Sequence, residues 1–196
     1  TKDSELEAHI QVAEILEDFE KDTGIEVFVI NGNHDINVQK ACTFENGIQE
    51  SAPCTSPEQF REIYANLGYD HAISEYNAPE GTHQGGLSYA ADLDENYRLI
   101  VLDSSKYDAD KPAKQQTDGM ITEDTMEWVK AMAEDAEKDG RTPILMMHHS
   151  IAAHMKLEPS VTYAFCIDNY MWVAESFADA GIHYAFTGHQ HINDIA

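Results

Sequence analysis

Apolar residues along this chain fall into two kinds of pattern, helical spacing and short unbroken runs, and the two alternate. Leu6, Ile10, Ala13 and Leu16 recur on one helical face, which Ser4 and Glu7 open as a capping box and Gly24 closes. Ile25 to Asn31 is then a β-branched run of strand length, followed directly by Gly32-Asn33-His34-Asp35. Residues 36–56 predict a long irregular loop, and Ser56-Pro57 the start of a helix that stops at Gly68. Tyr69 to Gly86 reads as loop. Leu87 to Leu93 and Tyr97 to Asp103 predict two strands joined by Asp94-Glu95-Asn96 as an antiparallel hairpin.

The second half repeats a strand–helix rhythm. Thr122 caps a helix that turns Met126, Val129, Met132, Ala133 and Ala136 inward and is closed by Gly140. Pro143 to Met147 is a short strand that runs into His148-His149. A helix from Asn169 to Ala180 ends at Gly181, and the strand His183 to Thr187 runs into Gly188-His189-Gln190-His191. Strands alternating with helices, plus one hairpin, predict a single α/β domain with a mixed sheet. There is no internal repeat and no low-complexity linker.

Composition narrows the partners. Twelve basic against 36 acidic residues give 196 residues a formal charge of −24, which repels a phosphate backbone and anionic lipid over most of the surface. Nucleic acid is therefore an unsuitable partner, although bound cations can reverse such a field locally. No apolar stretch approaches the roughly 20 residues of a membrane span, so no membrane insertion is expected. The three cysteines are too few for a disulfide scaffold. Cys42 and Cys54 flank a proline-containing polar stretch and read either as a bridge, which favours a secreted or cell-surface setting, or as two free thiols in a loop. Oligomeric state stays open.

Three polar clusters begin where an apolar strand stops: Asn33-His34-Asp35, His148-His149, and His189 with His191. The carboxyl ends of strands form the ligand crevice of open α/β folds, so clusters distant in sequence can converge there. Residues two apart in extended chain point to the same side, which would let His189 and His191 address one metal centre, with Gly188 allowing close backbone approach. Imidazoles and an amide oxygen suit zinc, iron, manganese or nickel. Asp35 would hold one tautomer of the neighbouring His34. Each cluster alone has a plainer reading: Gly-Asn-His-Asp is rich in turn formers, and a lone histidine at a strand end is commonly a satisfied polar residue. The three occurring in order, each after a strand, outweigh those readings. His9, His71, His83 and His154 lack this context and are taken as ordinary polar residues, His183 as structural, and Glu134-Asp135 to Glu137 as a solvated helix face.

Asn31-Gly32-Asn33-His34-Asp35, Met147-His148-His149 and Thr187-Gly188-His189-Gln190-His191 together resemble the last three signature motifs of the calcineurin-like metallophosphoesterases. The resemblance runs over essentially the whole chain. The helix–strand–GNHD opening and the region Ser56-Pro57-Glu58-Gln59-Phe60 resemble most the bacterial cyclic-nucleotide phosphodiesterases. The resemblance implies an α/β fold in which a two-sheet β-sandwich is flanked by helices in four αββα layers. It implies a hydrolase of small phosphoesters with two divalent or trivalent ions, manganese, iron, zinc or similar. Asn33, His148 and His189 would bind one ion and His191 the other, with His149 a competitor for the role of His148. His34 would protonate the leaving oxygen, with Asp35 orienting it. Two cations about 3.5–4 Å apart can clamp phosphoryl oxygens during in-line attack.

Two motifs of that family, Asp-x-His and Gly-Asp, do not occur in these 196 residues. Thr1-Lys2-Asp3 resembles the residues that follow Gly-Asp in relatives. The expectation is therefore one phosphoesterase domain over 1–196, truncated on its N-terminal side and beyond Ala196, with its first strands missing. Such a segment on its own would be inactive and poorly folded. A phosphodiesterase is the leading expectation. A phosphomonoesterase of the same family, or a non-catalytic scaffold on the same fold, are the alternatives; His34 beside Asn33 argues against a scaffold.

Overall fold

Two consecutive strands with unbroken apolar runs, Leu99 to Leu102 and Ile144 to Met147, have to be covered on both faces, and this demand organises the molecule. In a computed structural model that describes residues 3–79, 84–153, 165–191, 193 and 195, β5 (Tyr97–Leu102) and β6 (Thr142–Met147) lie side by side, parallel, with Leu99 opposite Ile144 and Leu102 opposite Met147. The sheet has the order β3–β4–β5–β6–β7, where β3 is Ala72–Glu75, β4 Tyr89–Asp92 and β7 Tyr184–Thr187. β4 is antiparallel to both β3 and β5, and β5, β6 and β7 run parallel, so the sheet is mixed as expected.

Alternate side chains of these strands enter different cores. Ile100, Leu102, Leu145 and Met147 pack under α3 (Glu123–Lys138) and α4 (Tyr170–Asp179), against Met126, Val129, Ala133, Val173 and Phe177. Leu99, Val101, Ile144 and Met146 face α1 (Leu6–Thr23) and α2 (Pro57–Ile63), through Ala13, Leu16, Phe60 and Tyr64. Helices on both faces of a mixed sheet give the α/β class. A second sheet of two strands, β1 (Cys42–Glu45) and β2 (Ile48–Ser51), stands apart from the first. Among the described residues no helix is long and apolar enough to cross a membrane.

Several local expectations are corrected. Ser4 does not cap α1: its N-cap is Glu5, without a side-chain cap bond, and the Ser4 hydroxyl accepts from the Val38 amide at 3.0 Å. The buried face of α1 carries His9 and Ala13, while Ile10 is exposed. Ser56 does form a capping box, with Gln59. Ile25 to Asn31 joins no strand ladder among the described residues; Val29 instead exchanges bonds with the Tyr89 hydroxyl at 3.1 and 2.8 Å. The supposed irregular loop 36–56 holds the β1–β2 hairpin, which turns at Asn46-Gly47 with positive φ at both residues. The Tyr69–Gly86 stretch holds β3. The cysteines Cys42, Cys54 and Cys166 are free thiols. His183 is exposed rather than built into the core, and Asp135 of the acidic run accepts from the buried Arg98 guanidinium at 2.8 Å. His83 and His154 lie outside the described residues.

Candidate metal centre

Because β5, β6 and β7 are parallel, their carboxyl ends lie along one edge of the sheet, and the polar residues that follow them meet there. His148 comes directly after β6 and His189 two residues after β7. The His148 carbonyl accepts from the Gly188 amide at 2.9 Å, which ties the two loops together. Asn33 arrives from the end of the Ile25–Asn31 segment.

His148 Nε2 lies 2.8 Å from Asn33 Oδ1 and 3.0 Å from His189 Nδ1. Three potential metal-ligand atoms therefore converge from three separate motifs. Burial, reinforced by the neighbouring His189, pulls the His148 pKa down to about 4, so its imidazole is neutral at ordinary pH. The Asn33 side chain is buried, and its amide nitrogen finds no hydrogen-bond partner among the described residues. Donors that each sit about 2.0–2.1 Å from a common ion are spaced by roughly 3 Å when they are neighbours on it, so the observed separations fit a bound transition metal. Imidazole nitrogens and an amide oxygen favour zinc, iron, manganese or nickel.

His149 resolves differently from its neighbour. Its ligand atom lies within 4.8 Å of those of His148 and His189, but its nitrogens have other partners. Nδ1 meets the Ser104 hydroxyl at 2.8 Å and Nε2 the Thr117 carbonyl at 3.1 Å. The ring is fully buried and its pKa is pushed down to about 3, chiefly by burial and then by His148. It packs edge-on against His148, with ring centroids 4.8 Å apart, as a wall of the centre.

His34, half-exposed, stands beside Asn33 at the rim. Its Nδ1 lies 3.2 Å from Asp3 Oδ1. The expected His34–Asp35 pair is thus replaced by His34–Asp3. Asp35 turns inward instead, where its Oδ2 accepts from the Gly32 amide at 2.7 Å and its own amide donates to the Gly32 carbonyl at 3.1 Å. His191 is exposed and outside the group formed by His148, His149 and His189. His189 and His191 both have positive φ, 67° and 55°, so the extended geometry expected for this pair does not hold. Gly188 is also not the tight glycine: a Cβ there would have ordinary contacts at 3.7 Å, whereas one on Gly32 would lie 2.7 Å from the His148 ring.

Residues that the motifs did not reveal support the centre. Asp103, fully buried just after β5, accepts from Asn31 Nδ2 at 2.8 Å and the Tyr107 hydroxyl at 2.6 Å. Burial outweighs these bonds and raises its pKa to about 6. Its neighbour Ser104 holds His149. The signal that would have found both is their position at a strand's carboxyl end, the same rule that singled out the three histidine clusters. Lys106 is held between Asp118 and Asp168 on the following loop.

No curated protein matches this sequence. The family model for the calcineurin-like phosphoesterases, however, matches residues 5–193, a span that contains all three histidine-bearing motifs. The convergence of those motifs at one sheet edge and the match across nearly the whole chain agree: the chain belongs to the calcineurin-like phosphoesterase family, whose members are metal-dependent phosphoester hydrolases.

Proposed function

We propose that this protein hydrolyses a small phosphodiester, cyclic nucleotides being the first candidates, with metal ions held at the carboxyl edge of the sheet. The observation that carries the reading is that Asn33 Oδ1 and His189 Nδ1 both lie within hydrogen-bonding distance of His148 Nε2. In this reading those three residues hold one ion and His191 contributes to a second. Bound ions supply Lewis-acid stabilisation of charge on the phosphoryl oxygens and acidify water.

The chain's own residues do the rest. His34, solvent-accessible and next to Asn33, donates a proton to the leaving oxygen, and Asp3 orients the ring through Nδ1. Asp35 fixes the turn that presents both residues. His149, pinned by Ser104 and Thr117, keeps His148 from rotating away and excludes water from the inner side of the centre. The surplus of acidic residues directs the site to small esters rather than polyanions.

The test is a panel of cyclic nucleotides, linear phosphodiesters and phosphomonoesters offered to the full-length protein loaded in turn with manganese, iron and zinc. Diester turnover above monoester turnover is the expected result. His34→Ala should lower turnover far more than metal content, while His189→Ala should strip metal. Preference for monoesters, or a His34→Ala defect explained by metal loss alone, would refute the reading.

A further inference from the structure

The tip that carries Asn33 and His34 is a turn closed at both ends by Asp35, through its amide and its carboxylate on Gly32. One hold on Asp35 in turn comes from α1 and α2. His9 is 1% exposed, although the sequence offers no motif around it. Its Nε2 lies 3.2 Å from the Asp35 carbonyl oxygen and 3.7 Å from Asp35 Oδ1. Its Nδ1 lies 2.9 Å from the Tyr64 hydroxyl. A carbonyl oxygen only accepts, so Nε2 carries the proton, Nδ1 is the acceptor and Tyr64 donates to it. The resulting chain has one direction, from the Tyr64 hydroxyl through His9 to the Asp35 carbonyl. The His9 ring is further caged edge-on by Phe60 and Tyr64, with centroids 5.5 and 5.7 Å away.

From this geometry we propose that His9 is a positioning residue: it locks Asp35, and through Asp35 the turn that aims His34 at substrate and Asn33 at His148. The wider catalytic part of this proposal rests on the phosphodiesterase reading above. A histidine serves here where a bulky apolar residue would not, because helix packing alone supplies no directional bond to a turn. Misplacing a reacting group by about 1 Å can cost roughly a hundredfold in rate, so the lock acts on turnover more than on substrate affinity.

Three variants of the full-length protein test this. His9→Phe keeps an aromatic ring in the cage and removes both hydrogen bonds. His9→Gln can restore them, its amide nitrogen donating to Asp35 and its oxygen accepting from Tyr64. Tyr64→Phe removes the far end of the chain by a single oxygen. Amide hydrogen exchange is followed at Asp35, whose N–H bonds the Gly32 carbonyl, with Tyr76, bonded to Ser88, as the control. Turnover is followed with bis(p-nitrophenyl) phosphate and manganese. In His9→Phe, Asp35 protection should fall about tenfold or more while Tyr76 is unchanged, and kcat should fall about 10- to 100-fold with KM within about threefold. His9→Gln should recover most of both, and Tyr64→Phe should lie between. The proposal is overturned if His9→Phe keeps Asp35 protection, or if His9→Gln is as defective as His9→Phe. Should His9→Phe fail to fold, Tyr64→Phe decides, its unchanged Asp35 protection being the overturning result. If the unmodified protein cleaves no phosphoester, the functional reading fails and the exchange data still decide whether His9 locks the turn.

Discussion

Two glycines approach His148 from different motifs, and only one of them has no room for a side chain. A Cβ on Gly32 would lie 2.7 Å from both Cε1 and Nδ1 of His148, which is about 0.7 Å inside the distance at which ordinary contact begins. The ring has little freedom to give way, because its Nε2 is engaged by Asn33 and His189 and its flank packs on His149. Gly32 is equally constrained, since its amide bonds Asp35. Gly32→Ala should therefore push the imidazole out of line with its two partners. Overpacking of this kind costs about 1–3 kcal/mol of stability, and disturbing the support of a ligand typically weakens metal binding by about 10- to 100-fold. Gly188→Ala is the matched control: its Cβ would meet the His148 carbonyl and ring at 3.7 and 3.9 Å. It should leave zinc affinity within about threefold and stability within about 0.5 kcal/mol of the unmodified protein. Isothermal titration of metal-stripped protein with zinc, together with urea melts, measures both quantities. Equal effects of the two substitutions, or normal zinc affinity in Gly32→Ala, would refute the reasoning.

Acidification should destabilise the metal-stripped protein. The folded-state pKa values of His9 and His148 are about 4 and that of His149 about 3, all lowered mainly by burial from 6.5. Between pH 6.5 and 4 the unfolded chain thus binds more protons than the folded one, and each histidine removes up to about 1.4 kcal/mol per pH unit as pH falls. Asp103, raised from 3.8 to about 6, works in the opposite sense over that interval but is one group against three. Melting temperatures in a chelator from pH 8 to 4 check this, and a flat profile would contradict it. Arg98→Met should cost about 1–3 kcal/mol in urea melts, because the buried guanidinium bonds Asp92 and Asp135 and faces Asp139. Added salt should recover part of that loss by screening the repulsion among the three carboxylates, of which Asp92 and Asp139 keep Arg141 beside them, and a salt-independent loss would assign it to packing alone. Reductant should leave the melting temperature unchanged, as expected of free thiols; a drop would reveal a bridge.

Much of the architecture could be read along the chain because it is written in local chemistry. Thr122 caps α3 by accepting from the Thr125 amide at 3.1 Å, Gly24 takes the left-handed conformation that ends α1, and continuous apolar runs specify β5 and β6. The β1–β2 hairpin was also legible, in Asn46-Gly47, but β2 is exposed throughout and its strands carry no core pattern to draw attention to them. Ile25 to Asn31 misleads for the converse reason. Its composition suits a strand, yet a strand exists only with a hydrogen-bonded neighbour, and composition does not supply one.

The same division applies to the site. Sequence alone determined that three polar clusters follow three apolar segments, because residue type and order are local facts. It could not decide between His148 and His149, adjacent residues of identical chemistry. That choice belongs to the tertiary structure. Both rings pack against His189, yet His148 meets Asn33 and His189 while the nitrogens of His149 are claimed by Ser104 and Thr117. Tertiary structure likewise gave His34 to Asp3 rather than to its neighbour Asp35, and joined His9 to a turn 26 residues away. A hydrogen bond is a short-range directional contact, and the partner that satisfies it is set by where the chain folds back, not by what stands next in sequence.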